Sequence, residues 1–145
     1  MIQRRDILRA LLRTVGDKAH TDWQKTSVII ILSRFLAQGD SHRKYFLVEF
    51  SGNNLFGNIA KILRCDASKP YLVMECLIFL YHLIGYHAGA PQCEVDSLLA
   101  SFEQREVFNA VLEAFFNRKY DGEIEDSIIN IFWGFFKISD DDVLY

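Results

Sequence analysis

Two cysteines and two histidines near the middle of the chain are the residues whose types could bind a metal ion. Cys76, His82, His87 and Cys93 follow one another at spacings of six, five and six residues. Zinc sites usually pair their ligands at short intervals such as CxxC or HxxxH. None of these spacings matches, so we expect no metal and no cofactor. We interpret Cys76, Cys93 and the third cysteine of the chain, Cys65, as free buried thiols in a reducing compartment. We interpret the two histidines as surface residues.

Sequence motifs of catalysis are also missing. The chain has no GxSxG, no HExxH and no glycine-rich phosphate loop, and its GDKAH and SGNN segments are typical of turns. Its acidic pairs, Glu125–Asp126 and Asp140–Asp142, fall at a predicted helix start and in a polar tail, where the helix dipole and solvation explain them. We therefore predict that the protein is not an enzyme.

Basic residues are concentrated in the first half of the chain. Arg5, Arg9 and Arg13 recur every four residues and would form a basic ridge that could bind a phosphate backbone. Residues 1–70 hold 12 lysines and arginines against 6 acidic residues, whereas residues 71–145 hold 4 against 13, and the net charge is −3. This polarity could steer partners or favour head-to-tail contact, or it is merely a pair of solvated ends.

The elements that position these residues belong to a repeated unit. SGNNLFGNIAKILRC (51–65) has the apolar spacing of EQREVFNAVLEAFFN (103–117), at an offset of 52. The helices that follow them, MECLIFLYHLIG and EDSIINIFWGFF, match at an offset of 51, and an earlier pair of helices matches at 48. Self-similarity at such a period predicts stacked supersecondary units.

Apolar periodicity and capping residues predict seven or eight helices. Their expected bounds are about 3–15, 22–37, 41–50, 55–64, 69–86, 93–101, 103–118 and 123–138. The candidate N-caps of the second, fourth and fifth helices are, in order, Thr21 or Asp22, Asn53 or Asn54, and Ser68. Half of the residues are hydrophobic, yet no apolar run reaches the roughly 18–20 residues of a membrane span. We expect an intracellular protein, in the cytoplasm or the nucleus.

The segment SHRKYFLVEFSGNNLFGNIAKILRC, followed by KPYLVMECLIFLYHLIG, resembles an armadillo repeat. In that family a short first helix ends in a glycine turn, a second helix follows, and a third lines a concave groove. The resemblance implies one all-α domain over 1–145, a short right-handed armadillo-like superhelix of about 2.5–3 repeats that binds protein partners. Its units are roughly 1–39, 41–87 and 92–138, with a tail at 139–145. HEAT-type repeats, which lack the short first helix, are the near rival.

Importin-like members of this family carry, on each third helix, a Trp and four residues later an Asn that grips an extended peptide. The positions that correspond to the Asn are Arg34, His82 and Trp133, and those that correspond to the Trp are Ile30, Ile78 and Ile129. Neither ladder is present, so the resemblance does not extend to a receptor for nuclear localisation signals. Such a groove would suit an apolar helix or a hydrophobic strand.

The last predicted helix is apolar on nearly every side. Its apolar residues are Ile128, Ile129, Ile131, Phe132, Trp133, Phe135 and Phe136. A terminal repeat normally exposes a polar outer face. The array therefore continues in a longer chain, or this helix docks a partner or a second copy, or its aromatic residues fill the core.

These patterns together predict a non-enzymatic protein–protein interaction scaffold. A partner segment would bind through the third-helix groove or through the aromatic last helix, with Trp133 as anchor, because Trp and Arg often dominate interfaces. Two alternatives stay open. One is a nucleic-acid-binding helical domain that uses Arg5, Arg9 and Arg13, and the other is a homodimerisation module.

Overall fold

The described part of the chain is entirely α-helical, as the sequence predicts. A computed structural model describes residues 4–36, 42–117 and 122–139. Its helices are α1 (Arg4–Gly16), α2 (Asp22–Phe35), α3 (Arg43–Gly52), α4 (Leu55–Arg64), α5 (Pro70–Tyr86), α6 (Gln92–Gln104), α7 (Val107–Phe116) and α8 (Gly122–Ser139). The predicted tail 139–145 lies outside the described residues except for Ser139.

The start of α2 confirms one predicted cap, and the start of α5 corrects another. Thr21 and Gln24 form a reciprocal capping box, in which the Gln24 backbone N–H donates to Thr21 Oγ1 at 3.2 Å. Ser68 does not cap α5, because its hydroxyl donates to the Ile62 carbonyl at 2.8 Å. The N-cap is Lys69, whose amide donates to Asp22 Oδ2 at 2.8 Å. A carboxylate of α2 therefore fixes the start of α5.

Two non-glycine residues in the left-handed region separate α3 from α4 and α6 from α7. Asn54 (φ 56°) precedes α4 and Glu106 (φ 58°) precedes α7, at the predicted offset of 52. The predicted break between 101 and 103 is wrong, because α6 continues to Gln104. Gly52 is still helical. The chain turns at the left-handed residue, and nothing in the sequence marks Glu106 for that conformation.

The helices form three rows. α5 packs between α2 and α8, α4 packs between α1 and α7, and α3 lies against α6. For the description that follows, α1 and α2 are called the first unit, α3 to α5 the second unit and α6 to α8 the third unit. The core between the rows is aromatic: Phe56 lies edge-on to Phe102 of the next unit, with ring centroids 4.9 Å apart, and both side chains are fully buried.

Ion pairs join each unit to the next with a constant polarity. Arg9 of the first unit pairs with Glu49 of the second at 3.0 Å. Arg43 of the second unit pairs with Glu94 of the third at 3.1 Å. In the same interface Arg64 pairs with Glu113 at 2.7 Å. The earlier unit supplies the cation each time, which accounts for part of the charge asymmetry along the sequence.

Candidate functional site

An open groove of about 810 Å³ runs over α2, α5 and α8. Two hydrogen bonds place the starts of these helices side by side, so the three helices run in the same direction. The Lys69 backbone amide donates to Asp22, and the Ser127 hydroxyl donates to the Met74 sulfur. The groove is lined by Ile30, Ser33, Arg34, Leu36, Glu75, Ile78, Tyr81, His82, Ile84, Gly85, Tyr86, Ala88, Asn130, Trp133, Gly134 and Lys137.

The lining positions repeat from helix to helix. A shift of 48 residues carries the α2 positions onto those of α5, and a further shift of 52 carries these onto α8. The corresponding sets are Ile30, Ile78 and Asn130; Ser33, Tyr81 and Trp133; and Arg34, His82 and Gly134. Equivalent residues of the three units therefore face one continuous groove.

Five of the predicted site residues line this groove: Ile30, Arg34, Ile78, His82 and Trp133. Ile129 does not, and the neighbouring Asn130 faces the groove instead. The reason is the register of α8, which follows α5 at an offset of 52, whereas the sequence comparison gave 51. α8 is apolar on nearly every side, so the apolar pattern could not distinguish the two.

The correct register changes the role of Trp133. It is equivalent to Tyr81 and Ser33, not to His82 and Arg34. The comparison of apolar residues also missed polar lining residues, above all Asn130 and Lys137, because it carried no information about them. The offset of 52 residues that relates α4 to α7, if also applied to α5 and α8, would have placed Asn130 and Lys137 in the groove.

Aromatic side chains project from two of the three helices. Trp133 is 64% exposed, and Tyr81 on α5 is also exposed. The Tyr81 ring lies edge-on to His82, with centroids 5.9 Å apart, and the Lys137 ammonium lies 5.9 Å from the centre of the Trp133 ring. Large, half-solvated aromatic rings beside a cation are typical of surfaces that bind proteins.

Two glycines shape the groove in opposite ways. A Cβ at Gly134 would meet Ile84 Cγ2 at 3.1 Å, so this glycine lets α8 lie close against α5. A Cβ at Gly85 would meet nothing within 4 Å. A side chain introduced at position 85 would therefore extend into the groove without a clash at its base.

A second apolar surface lies at the end of the array, between α7 and α8. It encloses about 310 Å³ and is lined by Leu112, Phe115, Phe116, Ile128, Ile129, Phe132 and Trp133. Phe116 is 71% exposed, whereas Phe132 is partly buried and stacks on Phe108, with centroids 6.4 Å apart. The side chain of Phe136, another predicted contact, lies outside the described residues.

The predicted basic ridge is already partly neutralised. Arg9 donates from Nε and Nη2 to the two carboxylate oxygens of Glu49, at 3.0 and 3.1 Å. These hydrogen bonds raise the pKa of Arg9 and, against the effect of burial, lower the pKa of Glu49. Arg5 and Arg13 remain exposed. A nucleic acid could therefore use two of the three arginines without breaking a bidentate ion pair.

The predicted burial is confirmed for Cys76 and the predicted exposure for His82, whereas Cys65, Cys93 and His87 differ from the prediction. Cys76 is fully buried, and burial raises the pKa of its thiol, which therefore stays protonated. Cys65 and Cys93 are exposed, so the prediction of three buried thiols is wrong for both. His87 is buried rather than at the surface. No group of three potential metal ligands occurs within the described residues.

None of the described helices combines the length and apolar character needed to cross a membrane. Comparison of the chain with protein-family models, with curated proteins and with solved structures finds no match.

Proposed function

We propose that this protein is a non-enzymatic scaffold that holds a segment of a protein partner in the groove over α2, α5 and α8. The observation that carries the proposal is the convergence of equivalent residues from three helices on one groove with an exposed tryptophan, Trp133, at its wall. An indole that remains 64% exposed on a helix has apolar area to bury against a partner.

The arrangement of helices also supports a short right-handed armadillo-like superhelix as the form of this scaffold. α3 and α6 each precede a left-handed residue, a second helix and a groove-lining third helix. The expected short first helix is not observed, because α3 has the same length as α4 and α6 is longer than α7. Only the second and third helices of that order occur in the first unit as described. In this arrangement the groove is the concave surface of the array, which is where such scaffolds bind their partners.

The chemistry of the groove favours a partner that buries apolar side chains. Ile30 and Ile78 provide an aliphatic floor, and Tyr81 and Trp133 provide aromatic walls. Asn130 contributes an amide that can both donate to and accept from a peptide backbone. A single amide does not form the ladder of an importin-like groove, so we expect side-chain burial to determine affinity.

Affinity capture coupled to mass spectrometry tests this proposal. We expect Trp133→Ala and Arg34→Glu each to remove the same set of captured proteins, because both residues line the groove. Trp23→Ala is the matched control, since Trp23 is 67% exposed but lies outside the groove. Retention of all captured proteins by both groove variants would exclude the groove as the binding surface.

A groove-filling pair of variants separates loss of binding from loss of fold. Gly85→Trp places an indole in the groove, and Gly52→Trp adds the same side chain at a position where a Cβ also meets nothing within 4 Å. Both variants should keep the wild-type helical content in circular dichroism. Only Gly85→Trp should lose the captured set.

The apolar surface between α7 and α8 supports a second candidate function, docking of a second copy. The exposure of Phe116 and Ile129 at this surface favours it. Light scattering on gel filtration should then show a dimer that Phe116→Ser converts to a monomer and Gly85→Trp does not. A monomeric wild type at high concentration rules this candidate out.

A further inference from the structure

The carboxyl-terminal edge of the groove carries positive charge from two different helices. Arg34 lies in the last turn of α2 and Lys137 in the last turn of α8. His82 of α5 occupies the position equivalent to Arg34, 48 residues later, and also lines the groove. Among the described residues, neither Arg34 nor Lys137 forms an ion pair, and Lys137 contacts the face of Trp133.

This edge differs from the interfaces between the units. There, Arg9, Arg43 and Arg64 each meet a carboxylate of the next unit at 2.7 to 3.1 Å. The groove cations instead face open space on the surface proposed to bind a partner. Within residues 4–36, 42–117 and 122–139 no carboxylate pairs with them, and they would lose hydration without compensation if an apolar segment covered them.

The charge of the groove is also polarised along the helices. Glu75 lines the opposite edge, ten residues before Gly85 on α5. With a rise of about 1.5 Å per residue, that separation is about 15 Å, and Ile78 and Tyr81 lie in between. An acidic edge, an apolar middle and a basic edge thus follow one another across the groove.

Two features oppose the attraction of an acidic segment, but both act more weakly than the groove cations. The carbonyl ends of α2 and α8 carry about half a negative charge each, less than the full charge of a side chain. Glu75, the carboxylate among the lining residues, lies at the opposite edge, and charges beyond about 8 Å are largely screened at physiological ionic strength. Local contacts with Arg34 and Lys137 should therefore determine the preference.

We infer that the partner segment of this groove is acidic and apolar: it presents carboxylates to Arg34, His82 and Lys137, and aliphatic or aromatic side chains to Ile30 and Ile78. This inference rests on the proposed function and specifies the chemistry of its partner. Each partly exposed ion pair should strengthen binding by about twofold to fivefold.

Selection from a displayed library of random 16-residue peptides tests the inference. Peptides that bind the wild type and Gly52→Trp but not Gly85→Trp are scored as groove-dependent. Among them we expect Asp and Glu at about twice their frequency in the unselected library or more, together with apolar residues. Apolar enrichment alone, or enrichment of Lys and Arg, overturns the inference and leaves the proposed function standing.

Charge reversal provides the second arm. In the double variant Arg34→Glu/Lys137→Glu, the groove-dependent peptides should change from acidic to basic. The double variant Arg13→Glu/Lys61→Glu changes two exposed cations outside the groove and should keep the acidic preference. Unchanged selection by the groove variant contradicts the assignment of Arg34 and Lys137.

Two further outcomes are decisive. Failure to recover any groove-dependent peptide would overturn the inference and the proposed function together. A wild-type dimer that Gly85→Trp converts to a monomer would identify the occupant as a second copy of this chain, and the inference of an acidic, apolar partner segment would then be wrong.

Discussion

His87 is a described residue whose protonation is coupled to folding. Its side chain is buried, Nδ1 lies 2.9 Å from the Leu83 carbonyl, and Nε2 has no hydrogen-bond partner among the described residues. Burial lowers the pKa of His87, and the nearby Arg43 adds to this effect, while Leu83 and Glu94 oppose it. The imidazole is therefore neutral in the folded protein, with the Nδ1 hydrogen donated to Leu83.

This environment predicts that stability decreases as the solution becomes mildly acidic. In the unfolded chain a histidine titrates near pH 6.5. Below about that pH the unfolded state binds a proton that the folded state does not bind, because the pKa is lower in the folded state. The free energy of unfolding should fall by up to about 1.4 kcal/mol per pH unit until the lowered pKa is passed. Urea denaturation of His87→Leu between pH 7.5 and 5.5 should show a flatter dependence of the free energy of unfolding on pH than the wild type. An equally steep dependence would contradict a neutral, buried imidazole at position 87.

Two ion pairs in one interface should differ in their contribution to stability because they differ in burial. The Arg43 side chain is 11% exposed where it meets Glu94, and that of Arg64 is 34% exposed where it meets Glu113. Arg43→Leu leaves a largely buried carboxylate without its partner and should lower the free energy of unfolding by about 2 kcal/mol. Arg64→Leu should cost less than about 1 kcal/mol. Equal losses in urea denaturation would show that burial of the Arg43 pair does not matter.

At the scale of elements, the left-handed turns before α4 and α7 determine where the second helices begin. Asn tolerates the left-handed conformation, so Asn54 could be recognised from the sequence as a turn residue. A glutamate does not favour it, so Glu106 gave no comparable indication, and the end of α6 was predicted three residues too early. The conformation at Glu106 is imposed by the packing of α6 and α7, which the sequence does not reveal.

Replacement of Glu106 by glycine should therefore stabilise the protein. A non-glycine residue in the left-handed region costs roughly 1–2 kcal/mol. Part of the gain is lost to the greater freedom of glycine in the unfolded chain, and part to the loss of the exposed ion pair between Glu106 and Arg64 at 3.7 Å. We expect the free energy of unfolding to rise by about 0.5 kcal/mol. Glu103→Gly is the matched control, because the backbone there is helical and glycine should destabilise it by about 1 kcal/mol. Destabilisation by both changes would contradict the strain at Glu106.

The groove-lining helices show how far apolar patterning determines a site. The shift of 48 residues between α2 and α5 correctly brought Ile30, Arg34, Ile78 and His82 together. α8 is apolar on nearly every side, so its register could not be read, and Ile129 was assigned in place of Asn130. Trp133 lies in the groove in either register, because the positions of Ser33 and Tyr81 face the groove, as do those of Arg34 and His82.

At the scale of the whole molecule, the uneven distribution of charge has an internal role. The inter-unit ion pairs described above take a cation from the earlier unit and a carboxylate from the later one. A chain built in this way is basic at its start and acidic towards its end, whatever it binds. The repeat period predicts the order of the helices, whereas the tertiary contacts show which charges pair between units.

The central claim is that the groove over α2, α5 and α8 binds a partner segment. Its most direct test is the affinity of a captured segment for the wild type, Gly85→Trp and Gly52→Trp, measured by calorimetry. We predict a Kd at least about tenfold higher for Gly85→Trp, a loss of about 1.4 kcal/mol, because the new indole occupies the groove. Gly52→Trp should bind like the wild type. Equal affinities for all three proteins would contradict the claim.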